Sequence, residues 1–208
     1  MAKIDFRTLD PEKTVVVATG NAHKVTEIEA ILAPVMPGVA FYALGELGDF
    51  PEPVENGDTF TENAIIKAQA ASEQTGLAAV ADDSGLVVDA LSGEPGIMSA
   101  RWAGVHGDDA RNNAKLMREM EKSADGQRTA RFHSSVVLIR PDGTVTCGEG
   151  DCEGTIGREP RGTNGFGYDP LFWPLETPGR TMAELDPAEK NAISHRAHAL
   201  ADLARQLG

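Results

Sequence analysis

Two aspartates stand side by side in VADDSGL, residues 80–86, at the end of an apolar run and just before Ser84-Gly85. A carboxylate at a strand end beside such a break can hold a divalent cation or polarise a water molecule. Strand side chains alternate faces, so Asp82 and Asp83 are expected to serve different spaces. The pair could equally cap the following turn, a common use of Asp. Glu55 lies just ahead of a helical stretch in which Asn63 and Lys67, four apart, share a face. Lys67 stands among Ala64, Ile66, Ala68 and Ala71, so its ammonium either stays in solvent or reaches over an apolar wall. TGNAHK, residues 19–24, joins an apolar strand to a helix. The backbone N–H groups of Thr19, Gly20 and Asn21, with Lys24 in the first turn, suit a phosphate. The spacing is neither a P-loop nor G-x-G-x-x-G, and an ordinary capped helix would read the same way.

Two further stretches carry polar or aromatic groups of use. GTNGFGYDP, residues 162–170, lines Phe166 and Tyr168 with glycine. Such a loop either offers an aromatic face and backbone polar atoms to a base or is a connection with a buried anchor. SHR, residues 194–196, supplies donors at His195 and Arg196. His195 and His198 are three apart, but no third ligand stands at a zinc spacing.

These groups need elements to position them. TVVVA, from Thr14 to Ala18, reads as a buried strand. Val25, Ile28, Ile31 and Leu32 then repeat at helical spacing, with Gly20 permitting the entry turn, Asn21 as cap and Pro34 as stop. A second helix is capped at Asp58 or Thr59 and stopped at Gly76. LAAVADDSGLVVDAL reads as a strand, a break at Ser84-Gly85, and a second strand. GEPG, residues 93–96, is a turn, and a helix runs from Asp108 to about Lys122 with Leu116, Met117 and Met120 inward. Residues 128–139 alternate, placing Ala130, Phe132, Ser134, Val136 and Leu138 on one face, and PDG turns that strand into TVTCGEGDCEGTI. Ile193, Ala197, Leu200, Ala204 and Leu207 mark a closing amphipathic helix. Interleaved strands and helices with one long hairpin imply an α/β protein with a mixed sheet flanked by helices.

The net charge of −13 over 208 residues argues against a nucleic-acid partner, which needs a basic face, but leaves room for a small polyanion held by local cations. Neither a membrane-length apolar run nor an apolar leader is visible, which points to the cytoplasm. Cys147 and Cys152 match neither a zinc pair nor a redox C-x-x-C and are expected to be plain thiols on opposite faces of a strand.

Taken together and in order, the motifs resemble the inosine triphosphate / xanthosine triphosphate pyrophosphatase family. The matching pieces are TGNAHK (19–24), ENGDTFTENAIIKA (55–68), ADDSGLVVDAL (81–91), PGIMSARWAG (95–104), GFGYDPLF (165–172), AEL (183–185) and EKNAISHR (189–196). A lead-in of about a dozen residues, and Val54 where many relatives carry an acid, depart from the pattern. The resemblance implies one domain of two lobes around a long nucleotide-binding cleft, residues 1–13 being a lead-in. It implies a homodimer that hydrolyses ITP, dITP or XTP to monophosphate and pyrophosphate with Mg²⁺. Asp83 and Lys67 would then be catalytic, and Glu55 and Asp83 would hold the metal. Thr19, Gly20, Asn21, Lys24, Ser84, Phe166, Gly167, Tyr168, Asp169, Lys190, His195 and Arg196 would bind substrate, Phe166 by stacking on the base. A pyrimidine-directed relative and a catalytically silent nucleotide sensor are the competing readings. The SHR and FGYD pieces argue against the first, and the intact Glu55, Lys67 and Asp83 against the second.

Overall fold

The computed structural model describes residues 3–19 and 22–208, with only the backbone for residues 22 and 23. Gly20 and Asn21, expected to form the entry turn and cap of the first helix, lie outside the described residues. The strands are β1 (Thr14–Val17), β2 (Ala40–Ala43), β3 (Ala78–Val88), β4 (Thr129–Ile139), β5 (Val145–Ile156) and β6 (Phe172–Pro174). The helices are α1 (Ala22–Leu32), α2 (Leu44–Leu47), α3 (Phe60–Thr75), α4 (Asp109–Glu119), α5 (Pro187–Ile193) and α6 (His195–Leu207). The strands form one sheet in the order β2-β1-β3-β4-β5-β6. β1 runs parallel to β2 and β3, while β5 and β6 are antiparallel, so the sheet is mixed, as expected.

The chain divides into two compact units. The first comprises Met1–Asp83, Ser135–Gly150 and Ala199–Gly208; the second comprises Ser84–Ser134 and Asp151–His198. In the first unit, all four residues of β1 are buried because both faces of the strand are covered. Val15, Val17 and Val80 pack with Ile28 and Leu32 of α1 and Leu200 and Leu203 of α6. On the other face, Val16 and Ala79 meet Ala71 of α3, and Ala81 meets Ala64 and Ala68. The lead-in is tied to this unit: Ile4 N–H donates to Glu46 O at 2.9 Å, and Phe6 packs on Phe50. In the second unit, Leu86 and Val88 of β3, Leu116 of α4 and Met120 just beyond it, Phe132, Tyr168 and Phe172 share one core.

Two expectations need correction. β3 is a single strand through Ser84-Gly85, not two; the division at Asp83/Ser84 is between compact units, and the backbone stays extended across it. The closing stretch is two helices. Ile193 ends α5, and Ser194, with extended backbone (φ −71°, ψ 144°), separates it from α6. The Ser194 Oγ then accepts the Ala197 N–H at 3.1 Å, acting as a cap that the apolar periodicity does not reveal. Alternation in β4 holds as far as Ser134; from Ser135 to Ile139 every residue is buried. Cys147 and Cys152 are both free thiols in β5. Cys147 packs against one core cluster and Cys152 lies within another.

Candidate active site

The first unit gathers Glu55, Lys67 and Asp83. α3 begins with a reciprocal cap: Thr59 Oγ1 accepts Glu62 N–H at 3.1 Å, and the Glu62 carboxylate accepts the N–H groups of Asp58 and Thr59. It ends at Gly76 in a left-handed conformation. One turn into the helix, buried Asn63 accepts the Gly57 N–H at 2.9 Å, which ties the segment bearing Glu55 to the helix. Lys67, one turn further along the same face, donates to Asp83 Oδ1 at 2.7 Å and lies 3.6 Å from Glu55 Oε2. Its ammonium has therefore reached over the alanine face of the helix to a pair of carboxylates. Burial pushes the Asp83 carboxyl above its ordinary value, and the neighbouring charges of Glu55 and Asp82 add to that; Lys67 pulls it back only in part.

Pleat alternation separates the two aspartates. Ala79 and Ala81 share a face with α3, and Asp83 follows them toward Lys67. Ala78 and Val80 share the face of α1, and Asp82 follows them to Lys24. Both Asp82 oxygens accept from the Lys24 Nζ, at 3.0 and 3.1 Å, and Asp82 is buried. Lys24 is thus held by a partner that its motif alone did not suggest. Thr19 follows β1, its N–H donating to Val17 O at 2.8 Å.

The second unit gathers the loop and α5 residues. Asp169 is 3% exposed, accepts the Phe166 N–H at 2.9 Å and pairs with the Lys190 ammonium. That ammonium also sits 4.5 Å from the centre of the Phe166 ring, which is 63% exposed. Burial raises the Asp169 carboxyl, with Lys190 opposing. The AEL piece pins the loop through its backbone: Thr163 and Asn164 N–H groups both donate to Ala183 O. Gly167 is held from both sides by α4, its N–H donating to Asp109 Oδ2 at 2.7 Å and its carbonyl accepting from Asn113 Nδ2 at 2.8 Å. Tyr168 is a core anchor: it is buried, and its hydroxyl donates to Ser99 O at 2.9 Å. Ser84 Oγ donates to Ser134 Oγ at 2.9 Å. His195 and Arg196 are each 9% exposed, with the His195 ring stacked on Phe132 at 5.1 Å.

A family model described as the Ham1 family matches residues 15–206. The chain belongs to the Ham1 family. It is 50% identical over 194 residues to the dITP/XTP pyrophosphatase of Geobacillus kaustophilus, covering 93% of this chain and 94% of that protein. The dITP/XTP pyrophosphatase of Nocardia farcinica is 50% identical over 190 residues, covering 91% and 92%. Among solved structures, a HAM1 protein from Coxiella burnetii matches with a TM-score of 0.85 at 44% identity, covering 93% of this chain and 98% of that one. The Staphylococcus aureus Ham1 protein matches with the same TM-score at 38% identity, covering 94% and 98%. Against this Ham1 fold, sequence reasoning missed Asp109 and Asn113. They lie four apart at the start of α4, the i,i+4 spacing that marks a shared helix face. That spacing was a usable signal, but nothing in it named Gly167 as the partner.

Proposed function

We propose that this Ham1 chain hydrolyses deaminated purine nucleoside triphosphates (ITP, dITP and XTP) to the nucleoside monophosphate and pyrophosphate. The observation that carries the reading is the Lys67 ammonium held between Asp83 and Glu55, in a chain half-identical to curated dITP/XTP pyrophosphatases. Water attacks the α-phosphorus, the bond to the bridging oxygen breaks, and pyrophosphate leaves. Asp83 accepts a hydrogen bond from that water, orients it and takes up the proton it loses as the bond to phosphorus forms. Lys67 meets the charge on the phosphate oxygens. Lys24 spends two of its three N–H donors on Asp82, which fixes the ammonium and leaves one donor for phosphate. Thr19, whose own N–H is given to Val17 O, and Gly20 and Asn21 are assigned to the phosphate side by the resemblance.

Mg²⁺ belongs to the proposal. Glu55 Oε2 and Asp83 Oδ1 lie 3.6 and 2.7 Å from the Lys67 Nζ, so two carboxylates stand close enough together to share a cation placed beside that ammonium. That set fits a hard cation that takes one or two carboxylates and completes its shell with water and phosphate. When bound, the metal offsets charge on the phosphate oxygens and the leaving pyrophosphate.

Base choice falls to Phe166, which offers an exposed ring, and to His195 and Arg196. Hypoxanthine and xanthine present an acceptor oxygen at position 6, where adenine presents an amino donor. Arginine donates and never accepts. Adenine would leave a buried donor unpaired at about 1–3 kcal/mol, roughly ten- to hundredfold. Gly167 and Asp169 hold the ring's backbone, Lys190 its face, Tyr168 anchors the loop, and Ser84 stands at the start of the second unit's share of β3. The proposal extends to a homodimer, which the resemblance implies, and to the cytoplasm, to which the sequence points.

The test is a product analysis. Protein with Mg²⁺ is incubated separately with ITP, XTP, ATP, GTP and dTTP, and nucleotides and phosphates are resolved by chromatography. Monophosphate plus pyrophosphate from ITP and XTP, with ATP and GTP nearly untouched, is the expected result. Diphosphate plus orthophosphate, or no turnover, would remove the proposal.

A further inference from the structure

We propose that Asp109 and Asn113 are positioning residues for the Phe166 ring, and so set the affinity for the purine; the affinity part rests on the function proposed above. The Phe166 ring is 63% exposed, so packing does little to orient it. Its direction comes from its backbone and from the Lys190 ammonium against its face. That backbone is bracketed. The Phe166 N–H is bound by the buried Asp169 carboxylate, and the next N–H, that of Gly167, by Asp109 Oδ2 at 2.7 Å. Asn113 takes the Gly167 carbonyl at 2.8 Å, so the peptide planes before and after Gly167 are both fixed by one face of α4.

Gly167 has φ +61°, a conformation in which glycine is at home but which a short loop does not hold without partners. The helix is well placed to supply them. Asp108 caps it by accepting the Arg111 N–H at 3.0 Å, and Asn112 binds the 100–103 segment, accepting Ala103 N–H at 2.8 Å and donating to Ala100 O at 3.3 Å. Leu116 and Met120 anchor the far end in the core. Asp109 and Asn113 therefore project from a rigid support onto a loop that carries an exposed ring. An aromatic platform fixed before binding loses less entropy when a base stacks on it.

The experiment has two arms. In hydrogen exchange read by mass spectrometry, Asp109→Ala and Asn113→Ala are each expected to speed exchange in residues 163–168 about tenfold. Arg118→Ala, on the same helix, should leave that segment unchanged. In steady-state kinetics with ITP, Asp109→Ala is expected to raise KM about tenfold with kcat within twofold, Asp109→Asn, which keeps an acceptor oxygen, to recover most of it. The double variant Asp109→Ala/Phe166→Ala should be no worse than Phe166→Ala alone. Unchanged exchange in 163–168, or additive losses in the double variant, would overturn the inference. A wild-type protein that left ITP intact would sink the proposed function instead, and the exchange arm would still decide whether the two side chains hold the loop.

Discussion

At the scale of single residues, Asp83 carries a cost to the fold that its proposed role would explain. Burial raises its carboxyl above the ordinary value of 3.8 by more than Lys67 lowers it. A carboxyl whose folded value is raised binds its proton more tightly when folded. Its contribution to stability is therefore present below 3.8 and lost as pH rises through the raised value. Asp83→Asn removes that loss. The variant should match or exceed the wild type in thermal stability at pH 7 without Mg²⁺, with the advantage shrinking as pH falls through the raised value and gone below about 4. Its kcat on ITP should drop about a hundredfold or more. A stable variant with near-normal turnover would take Asp83 out of the reaction. Gly165 makes the opposite case. It has φ +76°, and a Cβ there would overlap Asp169 Oδ2 and come within 3.1 Å of Lys190 Nζ. Gly165→Ala should unfold at lower temperature, since left-handed backbone alone costs an alanine about 1–2 kcal/mol, and should weaken ITP binding as the Asp169–Lys190 pair is displaced. Calorimetry with a KM determination checks both.

At the scale of elements, the clearest case is α3, whose start was legible to within Asp58 or Thr59 and whose stop was legible at Gly76, because capping is local chemistry; the cap is Thr59. The reciprocal bonds between Thr59 and Glu62 place Thr59→Ala at about 1 kcal/mol, or some 2–4 °C in Tm for a chain of this size. Thr59→Asp, which can still cap, should keep most of that, and equal losses from both would show that the cap contributes little. What could not be read was what depends on distant contacts. Ser84-Gly85 read as a break in the strand, whereas at the division between units, Asp83/Ser84, the backbone continues as a strand while the neighbours change. Ser194 looked like part of one helix because apolar spacing survives a one-residue interruption, whereas its cap depends on an Oγ direction. Glu55, Lys67 and Asp83 were individually ambiguous; only their order along the chain set them beside one another. Lys24 read as a free cation, since its partner Asp82 is 58 residues away.

At the scale of the whole molecule, the candidate residues divide by unit. Thr19, Lys24, Glu55, Lys67 and Asp83 belong to the first, and Ser84, Phe166, Lys190, His195 and Arg196 to the second. The division has a chemical sense: the first set offers ammonium and carboxylate groups in ion pairs, suited to phosphate and metal, while the second offers an aromatic ring and buried donors, suited to a base. Phosphates are the same in every nucleoside triphosphate, so a defect on the first set should ignore the base. Lys67→Ala should therefore slow ITP and ATP hydrolysis by one common factor, leaving the ratio of their kcat/KM values unchanged. On the proposed reading, Arg196→Ala would remove a donor that favours a 6-oxo purine over adenine, so it should bring the two substrates about ten- to hundredfold closer together. Measuring kcat/KM for both nucleotides with each variant decides the matter. A ratio that moves with Lys67, or stays fixed with Arg196, would mean that phosphate and base recognition are not divided between the two units.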